Sequence, residues 1–224
     1  MPPRLSPRGG RFASQGTATE DRSIQKERTL SRTALVIVDM QNDLAHADGA
    51  LFVADAAHRA EVVEELQRRF RDANAPVIQA IRSHRSDGWD VERFRTAPYL
   101  EGRGFCIEGS WGMQPLDRLY PNQGEPVVLK RRFSAFMGTE LDILLRRARV
   151  ERLAIAGVSL HASVRATAVD AVCLDYDVVL VEDALATAIP DTRQANLVDL
   201  RALGCRVATA EDVTREISRT AEHV

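Results

Sequence analysis

The chain has 224 residues and a formal net charge of −2, with apolar residues at 45% and charged residues at 28%. This is enough for one globular domain with a sizeable core, and the composition excludes disordered and fibrous classes. No apolar run approaches the roughly eighteen residues of a membrane helix, and none follows Met1-Pro2-Pro3-Arg4, so the reading is neither membrane-spanning nor secreted.

Residues 1–32 carry seven positive and three negative charges, leaving the rest of the chain at −6. Pro, Gly, Ser and Thr separate these charges and aromatics are nearly absent. The segment therefore reads as a flexible or loosely packed extension, not a nucleic-acid arm, with one domain over 33–224. The apolar run Ala34–Val38 predicts a buried parallel strand that ends in the polar Asp39-Met40-Gln41-Asn42-Asp43. Helical spacing over 56–73 places Val62, Val63, Leu66 and Phe70 on one face. A second strand is expected over 76–81, then a long irregular region, 82–125, rich in Gly, Pro and aromatics.

The alternation resumes with a strand over 126–129 that runs into Lys130, and a helix over 138–148. A strand over 153–158, a helix over about 162–175, a strand over 178–181 and a helix from about 190 to Gly204 follow. A strand over 205–208 and a helix over 210–220 complete the pattern. Six strands alternating with helices predict an α/β domain with a doubly wound, mostly parallel sheet. In such sheets the site lies beyond the carboxyl ends of the strands. Asp39, Lys130 and the small-residue turn Gly157–Ser163 all fall at such ends. Lys130 stands out by composition as well: of 30 basic residues, 28 are arginine, and Lys26 is the only other lysine. A compact ammonium, whose pKa moves on burial, suits a position that needs an amine.

Three segments together resemble the isochorismatase-like cysteine hydrolase superfamily. They are Val38–Asp43, Lys130–Phe136 and Gly157–Ala171, and the likeness spans about residues 33–213. The resemblance implies a three-layer α/β/α fold and hydrolysis of small amides, ureides, N-carbamoyl compounds or nicotinamide, or of the vinyl ether of isochorismate. It further implies a homo-oligomer, a dimer or tetramer, acting on a small molecule. By matching position, Asp39 is the general base and later acid, and Lys130 holds that carboxylate and lowers the nucleophile's pKa. The family's cis peptide maps to Val158–Ser159. Its oxyanion hole maps to the N–H groups of Ser159 and Ser163.

The nucleophile position itself falls on Ser163, where the pattern has cysteine. A thiol of pKa near 8.5 ionises far more readily than a hydroxyl. Three readings stay open: an engineered Cys→Ser substitution, a natural member with vinyl-ether chemistry, or a non-catalytic binding protein. Val164-Arg165-Ala166-Thr167-Ala168 is closer to the amidases, and the amidohydrolase branch is the preferred reading.

The remaining candidates are weaker. His161 is a poor candidate base for Ser163. Arg82, ending the second strand, either binds a substrate carboxylate or holds a loop salt bridge. Trp111, Phe133 and Phe52 are candidate pocket walls. Cys173 and Cys205 read as core, and Cys106 as core or pocket lining. Three scattered cysteines make no disulfide framework or zinc site and fit a reducing cytoplasm. Arg82-Ser83-His84-Arg85-Ser86-Asp87 lacks the second histidine of the nicotinamidase metal pattern, so no metal is expected. No Walker loop or other nucleotide-cofactor motif is present.

Overall fold

The computed structural model describes residues 32–221, and the expected extension lies outside them except for Arg32. Six strands form one wholly parallel sheet in the order β3-β2-β1-β4-β5-β6. They are β1 (Thr33–Val38), β2 (Val77–Arg82), β3 (Val127–Lys130), β4 (Arg152–Gly157), β5 (Asp177–Leu185) and β6 (Arg206–Ala208). Strand order runs outward from β1 in both directions, so the fold is doubly wound with β1 and β4 flanking the switch point.

The period-two geometry of a strand divides β1 between two cores. Leu35 and Ile37 enter the cluster on one face, with Val63, Leu66 and Phe70 of helix α2 (Ala54–Asp72) and Val213 and Ile217 of α7 (Ala210–Ala221). Ala34, Val36 and Val38 enter the other, with residues of α4 (Leu141–Arg147), α5 (Arg165–Cys173) and α6 (Arg193–Ala202). Because both faces are covered, β1 is apolar from Ala34 to Val38, and only Thr33 is short of full burial. α2 buries Ala56, Ala60, Val63, Leu66 and Phe70 at three- and four-residue intervals, the spacing of a single helical face. It ends where Asn74 takes a left-handed φ of 51°.

The region 82–125 is not featureless. It contains the short helix α3 (Thr96–Leu100) and 3₁₀ turns at Arg93–Arg95, Trp111–Met113 and Asp117–Leu119. A further short helix, α1 (Asn42–Ala45), follows β1 where only a polar strand end was expected. The expected 162–175 helix is two elements: a π-helical turn over Leu160–Val164, then α5. Cys205 is core as expected, but Cys173 is exposed. Ala168 and Ala171 are the residues α5 turns inward at its end, and Cys173 lies off that face. No helix among the described residues is long and apolar enough to cross a membrane.

Candidate active site

Register brings the site together. Arg82 pairs with Lys130 and Val38 with Gly157, so β3, β2, β1 and β4 end side by side. The chain leaves β1 at Asp39 with a φ of 54°, a left-handed conformation that Asp tolerates better than most residues. Gly157 ends β4 with a φ of 120°. A Cβ there would overlap the Val38 carbonyl oxygen, so only glycine admits this close approach of β4 to β1.

Lys130 ends β3 and Asp39 directly follows β1, with β2 between those strands, a span of about 10 Å at the usual strand spacing. The long lysine side chain closes it. Lys130 Nζ donates to Asp39 Oδ2 (2.8 Å) and to the carbonyl oxygens of Arg132 and Phe133 (3.2 Å each). It also approaches Ser163 Oγ at 3.4 Å, longer than a good N–H···O bond. All three residues are at least 96% buried. Burial pulls the Lys130 pKa from 10.5 to about 8, against the opposing pull of Asp39. Asp39 Oδ1 is buried and accepts no hydrogen bond from any described residue. One carboxylate oxygen is thus held by the ammonium and the other is open.

Ser163 sits in the π-helical turn, which is anchored on both sides. Its carbonyl accepts from Thr167 Oγ1 (2.8 Å), which in turn accepts from the Ala135 N–H (3.0 Å). This ties the turn to the loop after Lys130. The Val158–Ser159 peptide bond is cis. His161 Nδ1 is hydrogen-bonded to Ser159 Oγ (2.9 Å), and burial followed by Arg95 lowers its pKa, favouring the neutral ring.

Arg82 is corrected as a substrate-contact residue. It is 2% exposed, lies 3.7 Å from Asp39 Oδ2 through Nε and bonds Glu92 Oε1 through Nη1 at 2.7 Å. It therefore holds the loop salt bridge, behind Asp39 and over the Phe133 ring (5.0 Å). Phe133 lines a cleft of about 650 Å³ with Phe94, Arg95, His161 and Ala162. Trp111 is not part of that cleft. It packs edge-on against His46, 5.0 Å between centroids, and lines a separate cleft with Asn42 and Leu116. Phe52 is exposed and lines neither. Cys106 is wholly buried among Tyr99 and Phe105 instead of lining a pocket, and burial pushes its thiol far up. His84 stands near Asp90 Oδ1 (3.4 Å), and no group of three metal-ligating side chains occurs among the described residues.

The sequence reading passed over the residues that hold the irregular region against the sheet. Gln41 exchanges hydrogen bonds with the Arg82 backbone (2.7 and 2.8 Å) and donates to the Met113 carbonyl (2.6 Å). Asn42 donates to the Trp111 carbonyl, and the Asp43 carboxylate accepts from the backbone N–H groups of Ala50 and Cys106. Gly112 packs so closely on Asp43 that a Cβ would overlap the carboxylate. The signal was the polar run Gln41-Asn42-Asp43 just after β1, since buried polar side chains need partners. Glu92 and Arg95 carried no such signal, being two charges in a charged region.

The Isochorismatase domain family matches residues 33–212. A probable inactive nicotinamidase from Arabidopsis thaliana is 34% identical over 189 residues, covering 83% of this chain and 96% of that protein. The ureidoacrylate amidohydrolase RutB of Yersinia enterocolitica is 31% identical over 185 residues, covering 73% and 79%. The crystal structure of an isochorismatase family protein from Desulfovibrio vulgaris superposes with a TM-score of 0.80 at 39% identity. It covers 84% of this chain and all of that one.

Proposed function

The chain belongs to the isochorismatase-domain family, whose members include amidohydrolases, and we propose that it cleaves the non-peptide C–N bond of a small amide, ureide or N-carbamoyl compound. The observation that carries this reading is one ammonium in contact with both other polar groups. Lys130 Nζ reaches Asp39 Oδ2 and Ser163 Oγ, while Asp39 Oδ1 is buried without a partner.

In this reading Asp39 accepts the proton of Ser163 as Oγ attacks the carbonyl carbon. The backbone N–H groups of Ser159 and Ser163 receive the oxyanion. Asp39 returns the proton to the departing nitrogen, leaving an acyl-serine. Water attacks the acyl carbon, its proton passes to Asp39, and Asp39 hands it to Ser163 Oγ as the acid leaves. Lys130 stays protonated throughout and stabilises the carboxylate form of Asp39. The weak component is the hydroxyl, which ionises with far more difficulty than a thiol, so turnover by this chain is slow.

A second reading, a non-catalytic binding member, is favoured by serine at the nucleophile position and by the name of the Arabidopsis relative. The test is ammonia release from primary amides, ureides and N-carbamoyl amines, with isochorismate as control, by the chain and by its Ser163→Cys and Asp39→Asn variants. Asp39-dependent ammonia release supports the amidohydrolase. Asp39-dependent turnover of isochorismate alone moves the assignment to vinyl-ether hydrolysis. Inactivity of every variant leaves the binding reading.

A further inference from the structure

Five side chains run through the site as a line of alternating charge. Lys130 Nζ is 2.8 Å from Asp39 Oδ2, and Asp39 Oδ2 is 3.7 Å from Arg82 Nε. Arg82 Nη1 is 2.7 Å from Glu92 Oε1, and Glu92 Oε2 is 3.8 Å from Arg95 Nε. Three cations and two anions leave one positive charge over. Lys130, at one end, is fully buried and donates to a carboxylate and two carbonyls, so its charge is answered. The charge left over is at the other end, on Arg95.

Arg95 is built for a ligand more than for the fold. Its side chain is 27% exposed and its guanidinium carbon lies 5.0 to 5.6 Å from the ring centroids of Phe94, Phe105 and Phe133. Its guanidinium makes no hydrogen bond to any described residue, and its one ion pair is the long contact to Glu92. Burial and then Arg82 pull its pKa below the ordinary arginine value, as expected of a cation short of partners. The other arginine of the cleft, Arg165, is engaged by Asn196 Oδ1 (3.3 Å) and Asp199 Oδ2 (3.4 Å). Asp170 also lines the cleft, and His161 there is held towards its neutral form. Two lining residues link the cleft to the reacting groups: the Phe133 carbonyl accepts from Lys130 Nζ, and Ala162 precedes Ser163 in the chain.

We infer that Arg95 is the specificity-determining residue and that the substrate carries a carboxylate beside the C–N bond to be cut. The carboxylate completes the alternating line as its third anion, paired with the open fork of the guanidinium. The bond cleaved rests on the amidohydrolase reading, whereas recognition of the carboxylate does not.

The two are separated by calorimetric titration of the full chain, with Ser163 in place, against matched ligands: N-carbamoylglycine and 3-ureidopropionate, each beside its neutral carboxamide. The carboxylates should bind at least about tenfold more tightly. Arg95→Gln should weaken them by about ten- to a hundredfold, as expected for loss of hydrogen bonds to a charged group, while weakening the carboxamides far less. Arg95→Lys, which keeps the charge without the fork, should fall between. Equal affinity for acid and carboxamide, equal weakening of both by Arg95→Gln, or no carboxylate binding at about 10 mM would each overturn the assignment. A Ser163→Cys protein that releases no ammonia yet keeps the Arg95-dependent preference sinks the amidohydrolase reading and sustains this one.

Discussion

Placing sulfur at position 163 is the perturbation with the largest expected effect. Ser163 Oγ lies 3.4 Å from Lys130 Nζ, too far for a good N–H···O bond and well suited to the longer contacts of sulfur. An unperturbed thiol is about 3% ionised at pH 7, whereas a hydroxyl with a pKa near that of water is ionised to about 10⁻⁸ or less. That is a gain of about 10⁷ in anion. The thiolate is also less basic by about seven units, and with a Brønsted coefficient of about 0.45 this removes roughly three decades. The net expectation for Ser163→Cys is a rise of about 10³ to 10⁴ in kcat/KM, roughly 4 to 5.5 kcal/mol of barrier. Continuous measurement of ammonia release on ureides and N-carbamoyl amino acids reads it directly. Asp39→Asn in the same background should remove the gain, because an amide neither accepts the thiol proton nor returns it to the leaving nitrogen. If the cysteine protein is folded and yet no faster than the serine protein on any amide, the proposed roles of Asp39 and Lys130 are wrong.

Three further outcomes follow from the geometry. Lys130→Met should destabilise the fold by about 3 to 5 kcal/mol in denaturant titration, since Asp39 is left buried with only Arg82 at 3.7 Å; a change below about 1 kcal/mol would mean that water reaches the carboxylate. With a folded pKa of about 8 against an ordinary 10.5, Lys130 binds fewer protons in the native state than in the unfolded state between those values. Stability from this group therefore rises with pH across that window, while kcat/KM of the cysteine variant falls with an apparent pKa near 8; a profile still climbing at pH 9 contradicts this. Gly157→Ala should cost at least about 3 kcal/mol in thermal or chemical unfolding, because its Cβ meets the Val38 carbonyl and φ is 120°. An alanine protein as stable as the parent would show that β4 can move away from β1 without harm.

Local sequence determined the elements, and the reason is periodicity. Ala34–Val38 is unbroken apolar sequence because β1 is covered on both faces, and that alone marks it as a central parallel strand. The apolar stripe of α2 was legible for the same kind of reason, and Asp39 and Lys130 were legible as chemistry at strand ends. The short elements of 82–125 were not, because they are held by contacts with distant residues. The Cys106 N–H is satisfied by Asp43, and the Trp111 and Met113 carbonyls by Asn42 and Gln41. No local pattern encodes a partner more than sixty residues away.

The site divides in the same way. Sequence identified Asp39, Lys130 and Ser163 as polar groups at the carboxyl edge, but strand order decided that a lysine 91 residues from Asp39 reaches it across β2. Sequence weighed Arg82 equally as ligand and as salt bridge; burial behind Asp39 decided for the salt bridge. Among 28 arginines nothing in composition distinguished Arg95. Its unanswered charge is a property of the line of five side chains, and that line exists only where β3, β2, β1 and the 92–95 turn meet. Periodic burial is written along the chain because each element samples its own environment. Charge balance is a sum over neighbours in space, and only the folded structure determines which neighbours those are.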